Sequence, residues 1–211
     1  MIGPAALVVV AATLASPTLA SPAGAYPLPT EFRIAVSAHQ DLVHVVSDIG
    51  LADMEELRRR SGQQERHRTL GFYSSTVATK IEPERTVVPD DTCQRAVRAT
   101  VDLWLTERRI HIAREAAALP CLADVAVSHL THHATAEGEA FGRMVGRVEQ
   151  HLQSAAFSAR VRNERARGGD VDMLIKAALD QELVIYDADR KQMRDETDTA
   201  DEIEKVQNAC S

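Results

Sequence analysis

The chain has 211 residues, enough for one domain with a sizeable core and too few for two once an N-terminal segment is set aside. Its formal net charge of −7 argues against general nucleic-acid binding, because neutralising phosphates requires a basic surface. Only 4% of the residues are aromatic, which favours helices packed on a modest sheet over an aromatic-rich β-sandwich.

The N-terminal segment, residues 1–25, is typical of a secretory signal. Its apolar stretch, residues 5–15, is too short to span a bilayer, which needs about 20 residues. Ala23-Gly24-Ala25 provides an Ala-x-Ala cleavage site and Thr18-Leu19-Ala20 a second candidate, although no Lys or Arg precedes the apolar stretch. We therefore expect cleavage, no membrane span in the mature chain, and a periplasmic or secreted location.

Three short segments follow with clear local patterns. Phe32, Ile34 and Val36 alternate as in a strand, after which we expect a helix. Residues 50–62 predict a helix that ends at a glycine. Residues 69–84 are rich in Thr, Val and aromatics and predict a strand.

The strongest strand pattern lies between Cys93 and Cys121. Apolar residues at odd positions alternate with polar ones across residues 97–105, and Thr106–Arg109 then looks like a turn into Ile110 and Ile112. The sequence therefore predicts an α+β fold with a small antiparallel sheet, built on a hairpin between these two cysteines.

The C-terminal half reads as helix. Residues 122–162 contain no proline and have helical apolar spacing, so they predict one long helix, bent near Gly138 or Gly142. Asp170 is a plausible cap for a last helix that begins apolar and ends charged. We assign residues 26–185 to a single α+β domain and 186–211 to a charged C-terminal helix or tail.

The cysteines fit export, since disulfides persist in oxidising compartments. Three cysteines allow three pairings. We predict the pair Cys93–Cys121, because each residue lies at the edge of a predicted element, and leave Cys210 in a frayed tail.

A candidate metal site lies on the long helix. His129, His133 and Glu137 are spaced four residues apart, which places them on one face. Two imidazoles one turn apart can bind one zinc ion, so His129 and His133 are the predicted ligands. Glu137 lies about 12 Å along the axis from His129 and is assigned to the second shell, or less naturally to the third ligand position. Other candidates for a third ligand are Glu139, Glu149, His151, Asp170, Asp172, Glu182, His39, His44 and His111.

The order of strand, hairpin and histidine-bearing helix resembles the zincins, and more narrowly poorly characterised bacterial exported proteins with a His-Glu-x-x-His motif. The resemblance covers roughly residues 69–137 and implies a zinc site on His129 and His133. Leu130 stands where the general base of the motif would be, and leucine cannot accept a proton.

The resemblance, with the catalytic glutamate missing, therefore implies an exported non-peptidase or pseudoenzyme, either metal-binding or metal-free. Two alternatives remain open: an active metal-dependent hydrolase with a displaced base, and an exported binding or structural protein without metal. If His129 and His133 hold zinc, a carboxylate at position 130 should reach the metal-bound water, so Leu130→Glu should restore the base and raise any weak peptidase activity. No Gly-x-Ser-x-Gly elbow, phosphate-binding loop or dinucleotide-binding motif occurs in the sequence, and no partner is indicated.

Overall fold

The computed structural model describes residues 32–60, 70–87, 94–166, 169–199, 204–206, 208 and 210. They belong to one compact unit, Glu31–Ser211. The predicted signal segment and its cleavage sites lie outside the described residues, as does Cys93.

Strands occupy the first half of this unit and helices the second. In chain order the elements are β1 (Arg33–Gln40), β2 (His44–Val46), α1 (Leu51–Arg60), β3 (Gly71–Val87), β4 (Gln94–Ile112), α2 (Arg114–Ala117), α3 (Pro120–Gln153), α4 (Ala155–Ala166) and α5 (Val171–Thr197). The predicted β1, α1 and β3 are confirmed, whereas the short strand β2 stands where a helix was expected after β1.

The sheet is mixed, with β4 at its centre. β3 runs antiparallel to β4 along its whole length, and β1 and β2 run parallel to β4. β3 pairs with one side of β4 over its whole length, so β1 and β2 both lie on the other side of β4. There β1 pairs with the first part of β4 and β2 with its last residues. The predicted α+β class is consistent with this architecture, but the prediction of an antiparallel sheet is wrong, because β1 and β2 pair with β4 in parallel.

The predicted hairpin turn at residues 106–109 is also wrong, because β4 continues through it to Ile112. A bulge occurs there instead: Glu107 has φ of 53°, and the register of β3 shifts between Ser74 and Thr76. The Asp41 carboxylate accepts a hydrogen bond from Glu107 N at 3.3 Å. A bulge reverses which residues face the core. Before it the odd-numbered residues are buried, as predicted, and after it Ile110 and Ile112 are buried on the helix side.

α3 and α5 cover that side of the sheet and run antiparallel to each other, since Arg147 contacts Glu182 whereas His133 contacts Asp198. α3 continues without a break past Gly138 and Gly142 and ends at Gln153. The break comes at Ser154, whose hydroxyl accepts a hydrogen bond from Phe157 N and so caps α4. The predicted cap at Asp170 is confirmed, because its carboxylate accepts from Asp172 N at 2.9 Å.

α5 continues past residue 186 and packs at its middle, where Tyr186 is 1% exposed. None of the helices in the described ranges is both long and apolar enough to cross a membrane.

A disulfide joins Cys121, in the first turn of α3, to Cys210, with Cα atoms 5.9 Å apart. The predicted Cys93–Cys121 bond is therefore wrong. That prediction assumed that the C-terminal residues form a free tail. Instead, Lys205 and Val206 line a groove together with residues from the first half of α3. Cys210 is bonded to the first turn of the same helix.

Candidate metal centre

His129 and His133 lie one turn apart on α3, beside its buried stripe rather than within it. That stripe includes Ala126, Leu130 and Ala134, which face the sheet. The imidazoles flank it with 17% and 13% of their side-chain surface exposed. The helical spacing therefore presents both rings to the boundary between α3 and the chain that follows α5.

Asp198 completes this cluster from the C-terminal end of α5. Its Oδ1 lies 3.0 Å from Nε2 of His129 and 2.9 Å from Nε2 of His133. The two Nε2 atoms are 3.1 Å apart. Three ligand atoms thus form a nearly equilateral triangle, and the three residues form a cluster that could hold a metal ion.

Protons alone cannot satisfy all three contacts. A neutral imidazole nitrogen either donates a hydrogen bond or accepts one. If both Nε2 atoms carry protons, each donates to Asp198 but the two N–H groups face each other at 3.1 Å. If one Nε2 lacks its proton, its lone pair faces the carboxylate oxygen at about the same distance. A cation at the centre of the triangle would interact favourably with all three atoms.

The dimensions of the triangle suit a small metal ion. Zinc bonds of about 2.0 to 2.1 Å in tetrahedral geometry place ligand atoms about 3.3 Å apart. Each edge of the triangle would have to lengthen by only a few tenths of an ångström, which small side-chain rotations provide. Three protein ligands would leave a fourth coordination position open.

Asp198 is held in its ionised form. Burial by itself raises the pKa of Asp198, but hydrogen bonds from His129 and His133 outweigh it and hold that pKa below the ordinary range for Asp. The backbone N–H of Asp198 donates to Arg194 O at 2.8 Å, so the residue also ends α5. A charged ligand is therefore presented from a fixed backbone position.

A groove of about 370 Å³ adjoins the cluster. His129 lines it together with Asp124, Ser128 and His132 of α3 and with Lys205 and Val206 of the C-terminal segment. The groove gives small molecules a route to one of the three ligand residues.

Glu137, predicted as a second-shell residue or third ligand, belongs to a separate buried network. Its Oε1 pairs with Arg190 Nε at 2.6 Å and accepts a hydrogen bond from the Tyr186 hydroxyl at 3.2 Å. Asp198, and not Glu137, joins the two histidines in the described part of the chain. The other proposed third ligands are likewise outside this cluster; Glu182, for example, pairs with Arg147.

This network extends to the sheet through Arg108 and Tyr73. Arg108 donates to the Tyr73 hydroxyl at 3.0 Å and to the carbonyl oxygen of Ala134 at 2.5 Å. Burial raises the pKa of Tyr73 to about 12, with a further contribution from Glu137. Burial also raises the pKa of Tyr186, and the charge of Glu137 adds to that shift. The buried Arg108 guanidinium thus links β4 to α3 through its hydrogen bond to Ala134.

Leu130, at the position of the general base in the zincin motif, faces the sheet. It is 7% exposed and packs in the cluster of Ile110 and Ile112. A Cβ added at Gly71 would lie 2.9 Å from its Cδ1, which shows how closely β3 approaches. The expectation that a carboxylate at position 130 could reach a metal-bound water therefore has no support in the packing.

No family model, curated protein or solved structure matches this chain.

Sequence reasoning found two of the three clustered residues and missed Asp198. The correct disulfide, Cys121–Cys210, was the one of the three possible pairings that could have revealed Asp198. It would have placed the acidic C-terminal segment beside the start of α3, and the carboxylates of that segment would then have been candidates for the third ligand.

Proposed function

We propose that this chain is an exported zinc-binding protein with the ligands His129, His133 and Asp198, and that it does not cleave peptides through this site. The observation that carries the proposal is the convergence of three ligand atoms, each 2.9 to 3.1 Å from the other two. Two N–H groups can each donate to Asp198, but they then face each other, whereas a metal ion would interact favourably with all three atoms.

The ligand set narrows the choice to two metals, because two imidazoles and a carboxylate commonly bind Zn²⁺ and also suit Fe²⁺. The compartment favours zinc. A disulfide between Cys121 and Cys210 is consistent with an oxidising compartment, where a redox-inert ion is retained more readily than ferrous iron. Metal analysis of the purified chain distinguishes the two ions.

The environment of Leu130 supports the absence of peptidase activity in this proposal. A general base must lie within hydrogen-bond reach of the metal-bound water. Leu130 packs against Ile110 and Ile112 instead. The proposed relation to zincins would therefore be one of shared metal binding without the shared reaction.

A second candidate function is metal-dependent hydrolysis with a base from elsewhere in the chain. The groove favours it, because Asp124 lines the same space as His129. Hydrolysis of an unstructured protein by the zinc-loaded chain, lost in Asp124→Asn, would establish this function in place of the first.

Calorimetric titration of the oxidised chain with zinc tests the proposal. We expect one saturable site with a dissociation constant below about 10 μM, or about −7 kcal/mol. His129→Ala and His133→Ala should each weaken binding at least about tenfold, because two ligands are too few for tight binding. His132→Ala is the matched control, since His132 is exposed on the same turn and outside the cluster. Absence of saturable binding below roughly 100 μM would overturn the proposal and leave a metal-free binding or structural role.

A further inference from the structure

A second cluster of reactive side chains lies at the opposite face of the sheet. Ser74 of β3, His111 of β4 and Asp48, two residues after β2, meet beyond the bulge. His111 alternates along β4 with Ile110 and Ile112, which pack on the α3 side. The cluster therefore shares no residue with the metal centre and faces away from α3.

The atoms meet in the order required for nucleophilic catalysis. Ser74 Oγ is 3.1 Å from Nε2 of His111. The other ring nitrogen, Nδ1, is 3.5 Å from Oδ1 of Asp48. In this arrangement one imidazole nitrogen can take the proton of the hydroxyl. The N–H on the other nitrogen faces the carboxylate, which orients the ring.

The imidazole is fixed, and its acidic partner can move. His111 stacks on Phe72 with ring centroids 4.4 Å apart and 14° between planes. Its side chain is 11% exposed, and Nδ1 is buried with no hydrogen-bond partner in the described residues. Asp48, at 65% exposure, can shorten its distance to Nδ1 by side-chain rotation.

The backbone around Ser74 is irregular on both strands. The shift in β3 register follows Ser74 directly, and Glu107, across the sheet, has φ of 53°. Bulges and residues of positive φ are enriched at functional sites. Arg109 is the cross-strand partner of Ser74 and is exposed on the same face, so it adds positive charge to that face of the sheet.

We propose that Ser74 is a nucleophile, His111 its general base and Asp48 the positioning residue of a site that hydrolyses small carboxylic esters. Esters fit better than peptides, because an alcohol is a better leaving group than an amine and so asks less of the nucleophile.

Ser74 Oγ attacks the ester carbonyl as its proton passes to Nε2 of His111. The adduct breaks its bond to the alcohol, which leaves with that proton, and Ser74 is acylated. Water then attacks the acyl carbon and gives a proton to His111, which returns it to Ser74 as the carboxylic acid departs.

The experiment uses the oxidised full chain in excess EDTA, so that metal chemistry cannot contribute. We expect a fluorophosphonate probe to modify Ser74, located by peptide mass spectrometry, and p-nitrophenyl acetate to be hydrolysed with a transient acetyl group on Ser74. Ser74→Ala and His111→Gln should each lower the rate about 10²-fold or more.

Ser37→Ala is the matched control, because Ser37 lies on a strand of the same sheet but its hydroxyl donates to Asp102 rather than to a histidine. It should keep the wild-type rate. Asp48→Ala should lower the rate and Asp48→Glu should restore most of it, which a merely structural role of this exposed residue does not predict.

Hydrolysis by Ser74→Ala at the wild-type rate, or absence of probe on Ser74 in a chain whose thermal unfolding is unchanged, would overturn the proposal. Because EDTA is present throughout, neither result bears on the zinc site.

Discussion

Nε2 of His133 lies 2.9 Å from Oδ1 of Asp198, across 65 residues of sequence. The histidine comes from α3 and the carboxylate from the end of α5, so the candidate ligand atoms meet only when the two antiparallel helices are packed. Zinc binding at the proposed site would therefore report on that packing.

Replacing Asp198 by Asn removes the negative charge and leaves a weaker oxygen ligand. We expect zinc affinity to fall at least about tenfold in calorimetric titration, because three protein ligands are usual in sites of this kind. Asp195→Asn is the matched control, since Asp195 is an exposed carboxylate in the last turn of α5. Equal affinities for the two variants would remove Asp198 from the ligand set.

The disulfide pairing makes a separate prediction. Peptide mapping without reduction should show Cys121 joined to Cys210, and Cys210→Ser should lower the unfolding free energy. For cysteines 89 positions apart in the sequence, the chain-entropy estimate gives about 4 to 5 kcal/mol as an upper value.

Zinc should also bind more weakly in Cys210→Ser, because the segment that follows Asp198 loses its covalent anchor. Cys93→Ser should leave both the link and the zinc affinity intact. A Cys93–Cys121 peptide in the map would contradict the pairing.

Leu130→Glu should destabilise the protein and should not create peptidase activity. The substitution places a carboxylate among Ile110 and Ile112 without a partner, and burying an unpaired charge costs several kcal/mol unless the group becomes protonated. Thr131→Glu, exposed on the next position of α3, should change stability by less than about 1 kcal/mol. Chemical denaturation measures both, and a gain of protein hydrolysis in Leu130→Glu would show that position 130 does reach the metal.

Glu137→Gln should separate the buried network from the metal centre. The change removes the charge that pairs with Arg190, which should cost about 1 to 3 kcal/mol of stability. Zinc affinity should stay within about twofold of the wild-type value, because Glu137 is outside the ligand cluster. Glu139→Gln, at an exposed position of the same helix, is the control for both measurements. A loss of zinc affinity in Glu137→Gln alone would restore it as a ligand.

Tyr73 should make the protein sensitive to alkali. Its pKa is raised from 10.0 to about 12, so between these values the unfolded chain releases a proton that the folded chain retains. This contribution to stability is fully present below pH 10 and is lost as pH rises towards 12. Denaturant midpoints measured at pH 8 and at pH 11 should therefore fall less in Tyr73→Phe than in the wild type. An equal fall would mean that Tyr73 is not protected in the folded state.

The sequence predicted the parts of this fold that depend on local periodicity. Alternation across residues 97–105 located the buried face of β4, and helical spacing placed His129 and His133 together. The bulge at Glu107 was mistaken for a turn, because a polar, charged interruption has the same local pattern in either case.

Contacts between distant segments could not be predicted in the same way. Asp198 and Ser74 carry no local signal for the histidines they meet, since strand register and helix packing bring them there. The parallel pairing of β1 and β2 with β4 also depends on contacts far apart in the chain: Arg33 pairs with Arg98, and His44 with Arg109.

The central place of β4 has a consequence for how the chain acquires its structure. Among the described strands, β1, β2 and β3 each pair only with β4, which comes last of the four. During synthesis these three strands therefore have no pairing partner until residues of β4 emerge, and the apolar face that they form with β4 is covered only after α3 and α5 follow. A chain with this order of pairing forms its sheet late in synthesis, and until then the edges of its first three strands are unpaired.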